Sequence, residues 1–272
     1  MVLILLVGQS PAAQPMGNPL EATTSPEARQ SALASIPYAQ LESASRAKCD
    51  KVLANVTVFR RLPVRVIECD PQLYLFLIRH PDVVVNIWEV LGVSQLHVRQ
   101  VGPGSYSVVD VAGTRGSLEV LYASDELHVA CGEGCYEGPL SVRPARASFL
   151  LILRSGYLRD TEGRCYITSR LDCFLNVEPG ATEFVTKVLQ PIVGKIADIN
   201  FVQSVGFLGS LSRTAELSHR SVERLSTKLK YVRPETREEL AAMAERLGTR
   251  HEADAEATMD ASAEPAVGRG RR

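Results

Sequence analysis

LDCFLNVEPGATEFVTKVLQPIVGKIADINFVQSVGFLGSL, residues 171–211, contains the change of period on which the fold turns. Up to Val177 the apolar residues alternate. Ile167, Leu171, Cys173 and Leu175 share one side of a strand expected from Tyr166 to Val177. Pro179-Gly180 then stops the strand. Beyond it Val185, Val188, Leu189, Ile192, Ile196, Ile199, Val202 and Leu208 recur at spacings of three and four, the stripe of a long amphipathic helix. Pro191 should kink that helix. Gly194, Gly206 and Gly209 weaken it intrinsically, so packing on a sheet has to hold it.

Upstream, strands follow one another with turns about every ten residues. Leu96 to Val101, Tyr106 to Val111, Leu118 to Tyr122, Leu127 to Cys131 and the apolar run Phe149 to Leu153 all read as strands. Gly102-Pro103-Gly104, Gly113 and Arg159 to Gly163 are the turn signals between them. This is the pattern of an antiparallel meander. Before the meander, PQLYLFLIRHPDVVVNIWEVLG (71–92) predicts two short helices. Asp70 caps the first, with Pro71 in its opening turn; His80-Pro81 breaks the pair; Gly92 ends the second. A strand across Val58 to Ile67 precedes them, and Pro63 implies an edge position or a bulge there. The fold class expected is α+β: a curved antiparallel sheet of about seven strands wrapped on a long C-terminal helix.

That order resembles the START-like superfamily, also called the helix-grip, SRPBCC or polyketide-cyclase-like fold. The resemblance spans roughly Phe59 to Ala215. It is carried by PQLYLFLIRHPDVVVNIWEVLG, by LDCFLNVEPG and by the helix of residues 180–211. The chain is also similar to exported bacterial proteins of uncharacterised activity. The resemblance implies a hydrophobic ligand, a lipid or an apolar small molecule, held between sheet and long helix. Carriers, receptors and cyclases share the fold, so it leaves function open.

The ends read differently. Residues 1–13, with the apolar run VLILLV and then small residues, fit a truncated signal peptide cleaved after Ala12 or Ala13, although no positive charge precedes the run. Residues 14–55 read as a linker with a possible short helix, and 56–218 as the START-like domain. Residues 219–247 read as accessory helices and 248–272 as a disordered tail. Export to the periplasm or medium is the expectation from the first segment, and a cytoplasmic protein the alternative.

Composition excludes several classes. Thirty basic residues against 31 acidic ones leave a formal charge of −1, which supplies no basic surface for nucleic acid. No stretch reaches the ~20 apolar residues of a membrane span. GxSxG, HExxH and phosphate-binding glycine loops do not occur, and no cofactor is implied. Six cysteines permit disulfides in an exported chain. Cys131 and Cys135 form the one close pair and make a poor metal site alone.

The candidate ligand-binding residues are Trp88, Leu171, Val188, Ile192, Ile196, Ile199, Arg154, Arg170 and Asp172. The aliphatic ones would wall the cavity, and Trp88 would gate it or pack in the core. Arg154, Arg170 and Asp172 share one strand face with two outcomes. Either they form a buried cluster that orients a head group, or that face meets solvent and Ile167, Ser169, Leu171 and Cys173 line the cavity. His97 and His128 point away from the apolar sets of their strands. Three functions stay open: an exported binding protein, a cyclase- or hydrolase-like enzyme using Arg154, Asp172 or a histidine, and an envelope module with a filled core.

Overall fold

The computed structural model describes residues 21–111, 113–137, 144–178 and 194–263. The elements are α1 (Pro26–Ala34), a 3-10 turn (Tyr38–Gln40), α2 (Ser43–Leu53), β1 (Val58–Arg61), β2 (Arg65–Glu68), α3 (Pro71–Arg79) and α4 (Pro81–Val90). Strands β3 (Leu96–Gly102), β4 (Ser105–Asp110), β5 (Thr114–Ala123), β6 (Leu127–Tyr136), β7 (Ala145–Arg159) and β8 (Cys165–Val177) follow. Helices α5 (Lys195–Ser226) and α6 (Pro234–Ala263) close the chain. The sheet runs β1-β8-β7-β6-β5-β4-β3, with β2 also paired to β8, and every pairing is antiparallel. With α3 and α4 inserted after the first strands and α5 laid along the sheet, this is the helix-grip arrangement.

Local chemistry accounts for the joints. The first strand is split at Pro63 into β1 and β2. Arg61 pairs with Asp172 and Arg65 with Ser169, so four residue steps on one strand face three on the other. One residue is extra, which is a bulge, on the edge where proline's missing donor costs least. The Asp70 carboxylate accepts from the Gln72 and Leu73 amides at 3.0 Å, capping α3. His80 lies outside helical geometry (φ −121°, ψ 69°) and separates α3 from α4, as Pro81 requires. Gly92 and Gly163 take positive φ (70° and 82°) at the turns they close.

Two sequence readings are corrected. The segment read as a linker with a possible short helix carries two: α2, within the span expected, and α1, which was not expected and is capped at Ser25 by a 3.2 Å bond from the Ala28 amide. These helices cover the outer face of the sheet. Ala28, Ala32, Ile36, Cys49 and Val52 pack with Phe59, Val129, Leu150, Ile152 and Phe174 in a second core. Their inward positions are mostly small residues, which make a weak apolar period. The tail taken as disordered continues α6 through Ala263. Its Ala-, Glu- and Arg-rich composition has high helix propensity without needing a core. The boundary read between residues 218 and 219 coincides with a kink in α5, where Ser218 leaves helical geometry (φ −157°, ψ 61°). The apolar run of residues 2–7, Val188 and Ile192 lie outside the described residues.

Among the described residues all six cysteines are free. Cys131 and Cys135 lie on one regular strand, about 13 Å apart at its rise per residue, too far to share a metal. No helix of the described residues is long and apolar enough to cross a membrane, and no group of metal-ligating side chains forms among them.

Candidate functional site

Between the inner face of the sheet and α5 lies a cavity of about 110 Å³. Helices α3 and α4 close one side with Tyr74, Leu77, Val84, Val85 and Trp88. The sheet contributes Leu118 and Val120 from β5, His128 and Ala130 from β6, Leu151 and Leu153 from β7, and Leu171 from β8. The helix α5 presents Phe201, Ser204, Val205 and Leu208. No carboxylate, ammonium or guanidinium group is among these lining residues.

The wall follows from strand alternation. On β6, Val129 and Cys131 face the outer core beneath α1 and α2, so His128 and Ala130 face the cavity. On β8, Phe174 faces out, while Ile167, Ser169 and Leu171 face in. Trp88 stands on α4 with its ring edge-on to Phe207 of α5, centroids 5.8 Å apart.

Three polar groups reach the inner side. The Tyr74 hydroxyl bonds Ser155 Oγ at 2.7 Å and Ser169 Oγ at 2.8 Å, and burial raises its pKa. Ser204 Oγ donates to the Asn200 carbonyl one turn back, at 2.7 Å. Both are satisfied. His128 is not: its residue is 7% exposed, and neither Nδ1 nor Nε2 has a hydrogen-bond partner among the described residues. Burial pushes this imidazole down to about 4. The nearby Arg79 guanidinium adds to the shift and Asp125 opposes it. Near neutral pH His128 is therefore uncharged, with one ring nitrogen a donor and the other an acceptor.

The sequence candidates divide sharply. Trp88 and Leu171 line the cavity. Ile199 does not, being 45% exposed. The inward stripe of α5 runs through Ala197, Phe201, Val205, Leu208 and Leu211. The described helix starts at Lys195, after Gly194, which lies outside helical geometry (φ −95°, ψ −136°). Ile196 is in that first turn.

Arg154, Arg170 and Asp172 do come together, on the opposite face of the sheet from the cavity. Asp172 is fully buried and takes a two-pronged bond from Arg61, at 2.6 and 2.9 Å. Arg61 also donates to the Ala28 carbonyl at 3.1 Å, and Arg154 to the Ser31 carbonyl at 3.1 Å. Burial, then the neighbouring Arg170, lowers the pKa of Arg154. Asp172 is buried and the three arginines are half-buried; through the Ala28 and Ser31 carbonyls the cluster ties α1 to the sheet. Arg61 is the partner that strand reading missed, since the pairing lies 111 residues away in sequence. His97 sits apart on β3, its Nδ1 3.3 Å from Glu89.

No family model matches this chain, and no curated protein matches it. Solved structures do. A conserved protein from Geobacillus kaustophilus is 12% identical over 56% of this chain and 93% of its own, with a TM-score of 0.39. A hypothetical protein from Helicobacter pylori is 11% identical over 55% and 85%, with a TM-score of 0.34. Norcoclaurine synthase from Thalictrum flavum is 13% identical over 57% and 88%, with a TM-score of 0.34. At such values the likeness assigns no activity or ligand to this chain.

Proposed function

We propose that this chain is a binding protein that holds one small apolar molecule in the cavity between the sheet and α5. The observation that carries this reading is the near-complete apolar lining of a partly open space that the described side chains around it leave unfilled. Protein interiors normally close such spaces, because each lining atom otherwise lacks a packing partner.

Size narrows the occupant. An apolar cavity of about 150 Å³ takes up benzene, so about 110 Å³ suits a molecule of single-ring size at most. A lipid chain would require α5 to move off the sheet. The enzymatic alternative finds less support. Arg154 and Asp172 are across the sheet from the cavity, and an imidazole held near 4 is a weak base at neutral pH.

Trp88 is the sole tryptophan and lines the cavity, so it reports occupancy directly. Benzene, which is transparent at the red edge of tryptophan absorption, should change the Trp88 emission saturably. Ala130→Leu puts three extra carbons into the space between Val120 and Leu151. It should weaken benzene by more than about tenfold while preserving the far-ultraviolet dichroism. Emission that ignores benzene up to its solubility would end the proposal.

A further inference from the structure

We infer that His128 is the anchor of the bound molecule and that the ligand is a neutral, single-ring compound with one hydroxyl group, phenol-like rather than purely hydrocarbon. This rests on the cavity reading above. Its own ground is geometric: one polar side chain in an apolar wall, more than nine-tenths buried, has both nitrogens without a partner among the described residues.

Buried polar groups are almost always hydrogen-bonded, and an orphaned one costs stability. The other polar groups beside the cavity obey that rule within the protein. Tyr74 is bonded to two serines and Ser204 to its own helix. The strand alternation that buries Val129 and Cys131 under α1 and α2 leaves His128 facing inward, where no neighbouring side chain completes it. A ligand group can.

The chemistry of that group follows from charge. A carboxylate or an ammonium would enter a lining that holds no counter-ion and would pay the full cost of desolvation. The charged groups nearest the imidazole, Arg79 on α3 and Asp125 in the β5–β6 turn, are bonded to each other at 3.0 Å and largely cancel. A neutral imidazole offers one donor and one acceptor, and a hydroxyl can answer either. The body of the ligand meets Trp88, Leu153 and Phe201, which suits a ring.

The test compares benzene and phenol by ligand-observed NMR titration on the wild-type chain, His128→Leu and His128→Gln. The preference for phenol over benzene should be about tenfold greater in the wild type than in His128→Leu, the worth of one interior hydrogen bond. His128→Gln, which keeps a neutral donor and acceptor, should recover part of it. Equal preference in wild type and His128→Leu, with benzene still bound, overturns the anchor and leaves the cavity reading intact. Binding of neither probe to the wild type overturns both.

Discussion

Asp172→Leu should destabilise the fold by about 3–5 kcal/mol, the usual cost of leaving one buried charge without its partner. The carboxylate is wholly inaccessible and takes both prongs of Arg61, whose side chain is only 15% exposed. Arg154 and Arg170 stand across the β7–β8 ladder from each other, so removing the carboxylate strands three guanidinium groups together. An exposed ion pair would yield at most about 1 kcal/mol. Chemical denaturation of the variant measures which regime applies. The loss should be local first. Arg61 and Arg154 hold the carbonyls of Ala28 and Ser31, so trypsin should cut at exposed Arg29 faster in the variant. Adding Arg61→Met should recover part of the stability, because an apolar pair of similar volume avoids the desolvation penalty. A loss below about 1 kcal/mol, with Arg29 still protected, would mean that α1 does not seal this cluster.

The second large effect is on pH dependence. His128 titrates near 4 in the folded chain and near its ordinary value, 6.5, when unfolded. Between these values the unfolded chain binds the proton and the folded chain does not. Stability therefore rises with pH through that window and falls as pH drops through it. The sign is that of a group whose folded pKa is depressed by burial. Its contribution reaches up to about 3 kcal/mol between about pH 7 and pH 4. Other buried groups titrate as well. His80, lowered by burial, acts in the same direction, whereas Asp82, raised by burial, acts in the opposite one. The difference between wild type and His128→Leu isolates the imidazole. That difference should shrink the acid sensitivity, and the variant should be the more stable chain near pH 5. Parallel curves for the two proteins would place His128 in solvent and remove the premise of an anchoring role.

The cavity itself ties these results to binding. A ligand that bonds the imidazole offsets the cost of the orphaned nitrogens only in the folded state, so it stabilises the wild type more than His128→Leu at the same free concentration. Benzene, lacking a hydroxyl, should stabilise both alike.

Much of the architecture was legible before any coordinates. The strand that ends at Val177 and the long helix that follows it, described from Lys195, the capped pair of helices at Asp70 and His80-Pro81, and the glycine-punctuated meander are local features. Local features write themselves into adjacent residues. So was the grouping of Ile167 and Leu171 on one side of β8. The role of the opposite face was not. Sequence alternation says that Arg170 and Asp172 share a side with Phe174, but not what lies over that side. The answer came from Ala28, Ala32 and Ile36, more than a hundred residues away, whose small side chains make no conspicuous stripe.

What the sequence determined by itself is the order of the strands and of α3 to α5, and the alternation along each strand, because both depend on neighbours in the chain. Tertiary structure alone decided which face became the cavity, that His128 and not the arginine cluster looks into it, and that the stripe of α5 passes through Phe201 rather than Ile199. Those outcomes depend on how a covering layer docks and on which face of α5 packs against the sheet. Neither is encoded in the spacing of residues along a single element.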